Sequence, residues 1–541
     1  MQDNSALSVL VIDPNPGMRA NLQNMLSLAN ITKVEFAVNS GTAIRQLSKR
    51  SYDIILCEYD LGGGQDGQDG QQLLEDLRHH KLIGLFSIFI MLTSEGVYSK
   101  VVSAAELTPT DYILKPFTVE VLSQRITRAI ERRSVFLPTY QLISQGNLRE
   151  AIKSASAAEI THPRYAADFV RLRADLHVSL GEFAEAEHLY SDTIASKPVG
   201  WAQLGLGRAL FAQGRVEEAE KVLNILIVDN PKLMAAYDLL ARCHEASGDS
   251  AGAQKILEDA VSISPHVIRR LRKLGEVALE AGDVGAAEKS FKQVVAKAKY
   301  SEFRNPEDHV NLVKTLIRKG DAAQASGVIR DMEKSLRGNS NVDICRSISV
   351  ALLHESAGNK EAAVTELSSA VGAVRTAAGL SSELKIGLAR SCLGNSLDKE
   401  ASEVMLAVMN DVNSGVSMQQ VMQVFSRAGR PDLAEGLGIQ LKQQSHELLS
   451  VAAEKTNMGD FKGAVQTLLE AKHKSPGNLP VMIALVQGIL RQLNELGWDH
   501  PLAEVCHAQL DTIAKLDPAH PKLQQLTEEY TATQRNYGIA G

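Results

Sequence analysis

Four side chains that suit phosphoryl chemistry stand directly after short apolar runs near the start of the chain. They are Asp13 after "VLVI", Glu58 after "IILC", Thr93 after "IFIML" and Lys115 after "DYIL". A hydroxyl and an ammonium group that meet two carboxylates can hold a phosphoryl group, and the carboxylates can help to hold Mg²⁺. This chemistry requires a fold that brings the four residues together.

The first 133 residues alternate between apolar runs and segments of helical length. The runs are "LSVLVID", "KVEFAV", "YDIILC", "SIFIML" and "DYIL", and the helical segments include "GQQLLEDLRHH" and "EVLSQRITRAIERR". This alternation predicts a parallel sheet wrapped by helices. Because sites in such sheets form at the carboxyl ends of the strands, we expect the four side chains at one edge.

The segment resembles a response-regulator receiver domain in the motifs "VLVID", "IILCEYDL", "MLTS" and "DYILKPF". The resemblance implies a doubly wound, flavodoxin-like α/β domain with a five-stranded parallel sheet over residues 1–133. It also implies roles for single residues. Lys115 is the phosphate-sensing lysine, Pro116 follows it in a cis bond, Thr93 is the switch hydroxyl and Tyr112 is the switch aromatic residue.

Two positions depart from the receiver pattern. The family ends its first strand with two adjacent acidic residues that serve Mg²⁺, whereas this chain has Asp13-Pro14. The family's phosphoacceptor is an Asp, and the aligned residue is Glu58, which is longer by one methylene group. Phosphoryl transfer depends on positioning and on neutralisation by the metal, so phosphorylation should be very poor. We therefore expect no cofactor, and only weak Mg²⁺ binding at Asp13 if residual receiver chemistry survives.

Three interpretations of Glu58 remain open. In the first, the receiver is kept for packing and Glu58 only pairs with Lys115. In the second, Glu58 imitates the phosphorylated state, in part only, because its single negative charge is smaller than the −1.5 to −2 of a phosphate. In the third, residual phosphorylation occurs at the neighbouring Asp60.

The loop "GGGQDGQDGQQ", residues 62–72, is longer than is usual for the family. Its acidic residues do not have the spacing of a calcium-binding loop, and no G-K-[ST] follows its glycines. We therefore expect a flexible rim beside the pocket.

After residue 133 one pattern recurs, a Gly followed five residues later by an Ala. It occurs nine times between Gly146/Ala151 and Gly459/Ala464, and the first five glycines are 33 to 35 residues apart. A Gly ends one helix, a small Ala allows close packing, and a Pro closes the second helix. The period resembles the tetratricopeptide repeat, which implies an all-α solenoid of about eleven repeats over residues 134–541. Two weaker units are expected at Gly394 and Gly497.

Solenoids of this class present a concave groove lined by the first helix of each unit. The family's register places eight residues on this groove: Arg171, Trp201, Arg208, Phe211, Arg242, Arg269, Arg272 and Lys314. Arginine and aromatic side chains dominate binding hot spots, so the groove is expected to take an acidic partner segment, partly extended or helical. The alternative is a solvated helix face, with Trp201 in the core.

Composition excludes several classes of protein. The net charge is −7, with 13 basic and 15 acidic residues up to position 133 and 44 and 49 beyond it, which argues against nucleic acid as a partner. The five cysteines form no C-x-x-C pair and fit a reduced cytoplasm. The chain lacks the pattern of a signal peptide and an apolar run of about 18 residues, so no membrane span is expected.

These features predict a bacterial signalling adaptor that is not an enzyme. The degenerate receiver would be its regulatory head, joined through a few residues around Pro138 to a protein-binding solenoid. No catalytic constellation appears in the repeats, and no DNA-binding domain follows. The alternative is a phosphorelay response regulator that accepts a phosphoryl group from a histidine kinase. Under either function the receiver offers a surface to such a kinase or to another signalling protein. A third possibility is that both regions only dimerise the chain.

Overall fold

The computed structural model describes residues 5–538 apart from 63–68, 85–86, 95–109, 266, 299–303, 375–376, 378, 412–413, 415, 417, 476–477 and 517–519. The chain forms two compact units, Met1–Lys319 and Gly320–Gly541. The first unit contains the sheet and the first part of the helical array. The second is helical in all of its described residues that have regular structure.

The sheet has five parallel strands in the order β2-β1-β3-β4-β5. They are β1 Ser8–Ile12, β2 Lys33–Ala37, β3 Ile54–Glu58, β4 Ile88–Ser94 and β5 Asp111–Lys115. Side chains of β1 alternate between the two faces, as the period of two requires: Val9 and Val11 enter one core, and Leu10 and Ile12 the other. This confirms the predicted doubly wound, flavodoxin-like fold.

Three described helices that pack around the sheet are α1 Pro16–Leu28, α2 Ser40–Leu47 and α3 Gly70–His79. On one face α2 and α3 supply Ile44 and Leu73 to the core, and on the other α1 supplies Leu22. The predicted rim, residues 62–72, is only partly loop. Asp69 caps α3 in a reciprocal pair with Gln72, and residues 63–68 lie outside the described residues.

One helix joins the sheet domain to the array. Helix α4 runs without interruption from Val119 to Ser144. Leu122 near its start is buried in the receiver core, whereas Phe136 stacks on Phe169 of the first repeats with ring centroids 4.1 Å apart. The expected short join at Pro138 is wrong, because that proline lies inside the helix.

The rest of the first unit consists of paired antiparallel helices. They are α5 Leu148–Thr161, α6 Ala166–Ser179, α7 Phe183–Ser196, α8 Gly200–Ala212, α9 Val216–Asp229, α10 Met234–Ala246, α11 Ser250–Ile263, α12 Ile268–Ala281, α13 Val284–Ala298 and α14 Pro306–Lys319. The first helices of successive repeats contact each other: α6 contacts α8, α8 contacts α10, and α12 contacts α14.

The second unit continues the helical pattern. Its helices are α15 Ala322–Ser335, α16 Val342–Ser356, α17 Lys360–Val374, α18 Ser382–Gly394, α19 Asp398–Asn410, α20 Met418–Arg427, α21 Pro431–Asn457, α22 Phe461–Lys474, α23 Leu479–Leu496, α24 His500–Leu516 and α25 Leu523–Asn536. Among the described residues, none of the helices is long and apolar enough to cross a membrane.

The Gly and Ala of the repeat pattern have the expected conformations. Ten turn glycines, from Gly146 to Gly497, have φ between 74° and 101°, and the nine paired alanines are at most 5% exposed. The unit predicted at Gly394 differs, because this glycine ends α18 and Ser396 takes the left-handed conformation instead, with φ of 60°.

Candidate functional site

The carboxyl ends of three strands meet in a pocket around Lys115. The ammonium group of Lys115 contacts the carboxylate of Glu58, and its Nζ lies 3.4 Å from Oδ2 of Asp13. Asp13 is 1% exposed. Two carboxylates from β1 and β3 therefore share one cation from β5.

Local turns hold each carboxylate in place. Oδ1 of Asp13 accepts the N–H of Asn15 at 2.7 Å, and the backbone carbonyl of Asp13 accepts from Arg19 at 2.6 Å. Oε1 of Glu58 accepts the N–H of Asp60 at 3.2 Å. The carboxylate of Asp60 accepts the N–H of Gly62 at 2.9 Å.

The switch positions lie on the neighbouring strands β4 and β5. Thr93 is fully buried on β4, and its hydroxyl donates to the carbonyl of Ser94 at 3.4 Å. Tyr112 packs against the core on the face covered by α2 and α3, with its hydroxyl oxygen buried. The Lys115–Pro116 peptide bond is cis, and Pro116 is exposed.

The pocket does not suit Mg²⁺. Pro14 offers no side-chain oxygen where the receiver family has its second acidic ligand, and Glu58 and Asp13 are both committed to Lys115. Within the described residues, no group of three or more His, Cys, Asp or Glu side chains is arranged to hold a metal ion. Burial raises the pKa of the Cys57 thiol, and the negative charges of Glu58, Asp69 and Asp13 raise it further.

All eight predicted groove residues lie on first helices of the repeats. Arg171 is on α6, Trp201, Arg208 and Phe211 are on α8, Arg242 is on α10, Arg269 and Arg272 are on α12, and Lys314 is on α14. Arg171, Arg208, Arg242 and Arg269 are exposed, and the other four are half-buried. The exposed four are spread over α6, α8, α10 and α12, the first helices of four consecutive units.

Two arginines lie over aromatic rings of an adjacent unit. The guanidinium carbon of Arg171 is 5.8 Å from the ring centre of Trp201, and that of Arg242 is 4.8 Å from the ring centre of Phe211. The indole of Trp201 also meets Tyr190 edge-on at 6.4 Å. Trp201 thus belongs both to the packing between units and to the arginine-bearing surface.

Arg272 differs from the exposed arginines. Its guanidinium donates two hydrogen bonds to Asp308, at 2.6 and 2.9 Å, and Asp308 is 1% exposed. A similar pair, which the sequence analysis missed, joins Arg270 to Asp238 at 2.8 and 2.9 Å. Both pairs link first helices of successive units, so their main role is in stacking the repeats.

Within the described residues, the exposed arginines have no acidic partner of this kind. In the parts of the array that the structure describes, no carboxylate is within ion-pair distance of Arg171, Arg208, Arg242 or Arg269. An unneutralised row of guanidinium groups can bind carboxylates in two-pronged geometry. The exposed arginines on these first helices are therefore the second candidate site.

Comparison with protein families assigns both regions. Residues 9–127 match the response regulator receiver domain, and residues 141–198, 171–233 and 204–268 match the tetratricopeptide repeat. The chain carries a receiver domain followed by tetratricopeptide repeats. The receiver belongs to the domain class of two-component signalling. Glu58, Lys115 and Asp13 fall within the first match, and the residues from Arg171 to Arg242 within the second.

Similar proteins cover the two regions separately. The chemotaxis protein CheY-3 of Vibrio cholerae is 26% identical over 129 residues, which is 24% of this chain and 95% of that protein. The chemotaxis protein CheY of Pseudomonas aeruginosa is 25% identical over 126 residues, 23% of this chain and 98% of that protein. A solved tetratricopeptide repeat protein from Parabacteroides merdae is 14% identical, with a TM-score of 0.32, and covers 50% of this chain and 98% of its own.

Proposed function

We propose that this protein is a bacterial, cytoplasmic signalling adaptor without catalytic activity. In this adaptor, a receiver that does not accept phosphoryl groups is coupled to a protein-binding repeat array. The observation that carries the proposal is the contact between Glu58 and Lys115. A phosphorylated receiver needs this lysine for the phosphate, and here a carboxylate of the chain itself already binds it.

The charge balance of the pocket supports a fixed state. Lys115 faces Glu58 and Asp13, so its positive charge is neutralised without a ligand. A phosphate with a charge of −1.5 to −2 would enter a site that already carries two carboxylates. Pro14 provides no second acidic ligand to hold the Mg²⁺ that would offset this repulsion. Glu58 thus imitates a phosphorylated acceptor in position, with a smaller charge.

The groove supports the second half of the proposal. Arg171, Arg208, Arg242 and Arg269 extend over four consecutive units, with aromatic rings next to two of them. This surface suits an acidic segment of another protein, because carboxylates would replace water at guanidinium groups that have no acidic partner among the described residues. A histidine kinase or another signalling protein would meet the receiver side.

The receiver half is tested by phosphorylation in vitro. The purified full-length chain is incubated with acetyl phosphate and Mg²⁺, and its intact mass is measured. The expected result is an unchanged mass under conditions that modify a CheY protein in the same tube. A stoichiometric gain of one phosphoryl group, lost in Asp60→Asn or Glu58→Gln, would support the alternative function of a phosphorelay member.

The groove half is tested with a fluorescein-labelled peptide of consecutive glutamates. The double variant Arg208→Ala/Arg242→Ala should weaken its binding and keep the helical content. Arg272 is left in place because its ion pair with Asp308 stacks the repeats. Equal binding by wild type and double variant would place the partner elsewhere.

A further inference from the structure

The exposed arginines Arg208 and Arg242 occupy the same position in two successive repeats. Each lies six residues before the glycine of its repeat turn, Gly214 for Arg208 and Gly248 for Arg242. Both glycines are left-handed, with φ of 78° and 79°. The residues directly before and after each arginine are buried, whereas both arginines are exposed. The two side chains therefore face the same surface of the array, one from α8 and one from α10.

The row of arginines at this position covers two repeats only. The residue six before Gly181 is Asp175 on α6, and the residue six before Gly282 is Glu276 on α12. Asp175 is exposed, and its Oδ1 accepts a hydrogen bond from the hydroxyl of Tyr190 at 2.9 Å. The row thus consists of two guanidinium groups with an acidic residue at each end.

An aromatic ring accompanies the two arginines. Phe211 follows Arg208 by three residues on α8 and is half-buried. The guanidinium carbon of Arg242, on α10, lies 4.8 Å from the centre of this ring. Because a stacked guanidinium uses its face for the ring, the N–H groups at its edge stay available for a carboxylate.

The separation of the two helices sets the spacing that a ligand needs. Helices α8 and α10 contact each other, and the axes of packed helices lie about 8–10 Å apart. A polyproline II chain rises about 3.1 Å per residue and has three residues per turn, so residues three apart lie on the same side, about 9 Å from each other. Adjacent residues of such a chain point to different sides. Two acidic residues three apart in an extended segment therefore match the two arginines.

We propose that the acidic partner segment binds Arg208 and Arg242 in an extended, polyproline II-like conformation, through two acidic residues separated by two others. Each carboxylate accepts two N–H groups from one guanidinium. One of the intervening residues passes over Phe211, which favours proline or an apolar side chain there. The inference rests on the proposed function and deepens it, because it specifies the sequence pattern that the arginines recognise.

The test compares three fluorescein-labelled peptides of equal length and composition, each with two glutamates in a background of proline and serine. The glutamates are adjacent in the first peptide, separated by two residues in the second and separated by three in the third. Binding to the full-length wild-type chain is measured by fluorescence anisotropy at low salt. We expect the second peptide to bind about threefold or more tighter than the other two, because only its carboxylates face the surface together.

Single variants assign this preference to the two arginines. Arg208→Ala and Arg242→Ala should each weaken binding of the second peptide and make the three peptides equivalent, since one arginine remains. Lys221→Ala is the matched control, because it removes an exposed positive charge from α9, the second helix of the same repeat as Arg208. This control should keep both the affinity and the preference. Circular dichroism of each variant identifies misfolding.

A fourth peptide tests the length of the row. It carries a third glutamate three residues beyond the second. This glutamate should add little to the affinity, because the next positions of the row hold Asp175 and Glu276. A gain as large as that from the second glutamate would overturn the assignment of a two-arginine site.

The outcomes separate this inference from the proposed function. If the three peptides bind wild type equally well and Arg208→Ala/Arg242→Ala weakens all of them, acidic segments bind without a fixed spacing and the inference is wrong. If the double variant binds every peptide as wild type does, oligoglutamate included, the proposed function itself fails. Equal weakening by Lys221→Ala would show an effect of net charge only and would also overturn the inference. Because the comparison of spacings uses the wild-type chain, misfolding of a variant cannot conceal its result.

Discussion

Arg272 and Asp308 form a two-pronged ion pair between the first helices of successive repeats, with N–O distances of 2.6 and 2.9 Å. The side chain of Asp308 is almost fully buried, and that of Arg272 is 30% exposed. Sequence alone places Arg272 among the partner-binding residues, since it has the residue type and the register of a groove residue. The pair shows that a groove arginine can instead be a structural tie between units.

Removal of Arg272 should destabilise the array. Arg272→Ala leaves Asp308 buried without its cation, which costs about 3–5 kcal/mol. Arg269→Ala, one turn away on the same helix and exposed, should stay within about 0.5 kcal/mol of wild type. Urea unfolding followed by circular dichroism measures both, and similar midpoints for the two variants would contradict the structural role.

The charge of Glu58 should stabilise the carboxyl ends of the receiver strands through its contact with Lys115. Glu58→Gln keeps the size of the side chain and loses the charge that binds Lys115, so amide exchange should speed up in β5 and at the start of α4. A hydrogen bond between charged groups contributes about 1.5–3 kcal/mol, which sets the size of the effect. Glu131→Gln on the exposed side of α4 is the control. Exchange in Glu58→Gln that matches wild type would mean that Glu58 biases no switch.

Receiver chemistry should return when both departures are reversed. In Pro14→Asp/Glu58→Asp the second metal ligand and the shorter acceptor are restored, while Thr93 and Lys115 are already in place. This variant should gain one phosphoryl group from acetyl phosphate in Mg²⁺ and none after chelation by EDTA. Adding Asp60→Asn should not prevent the gain. A double variant that stays unmodified would indicate that the pocket has lost more than these two groups.

Replacement by alanine should destabilise the protein at Gly205 and stabilise it at Gly327. A Cβ at position 205 would lie 2.3 Å from Cε1 of Tyr190, whose hydroxyl is held by Asp175 at 2.9 Å. We expect a loss of about 1–3 kcal/mol from overpacking. At Gly327, inside α15, no atom of the described residues beyond the helix's own nearby backbone lies within 4 Å of the added Cβ, and the better helix propensity of alanine should stabilise by up to about 1 kcal/mol. Thermal unfolding distinguishes the two, and a stabilised Gly205→Ala would contradict the packing argument.

Sequence predicts most of this fold because its signals are local. The period of two in β1 and the spacing of Gly146, Gly181 and Gly214 are visible without any knowledge of contacts. The pairs Arg270–Asp238 and Arg272–Asp308 span 32 and 36 residues, and a paired arginine looks like a solvated one in sequence. The pocket was accessible to prediction because parallel strands bring their carboxyl ends to one edge.

The helix through Pro138 shows a different limit. Local propensity places a helix end there, since proline in a helix interior costs about 3 kcal/mol. Phe136, two residues before Pro138, is buried against Phe169. Thr139, directly after the proline, is buried and hydrogen-bonds with Ser154 of the first repeat. Tertiary packing of these side chains offsets the cost of the proline, and no local sequence pattern indicates this packing.

Because helix α4 joins the sheet to the first repeat, its length determines the angle between them about the helix axis. An α-helix turns by about 100° and rises by about 1.5 Å per residue. One residue inserted between Leu122 and Phe136 would therefore rotate the sheet by roughly a quarter turn about the helix axis, relative to the first repeat. Seven residues would nearly restore the angle, to within about 20°, and would move the sheet along the axis by about 10 Å. The length of residues 122–136 therefore sets the rotation of the sheet relative to the first repeat. Homologues should differ in the length of this segment by whole heptads.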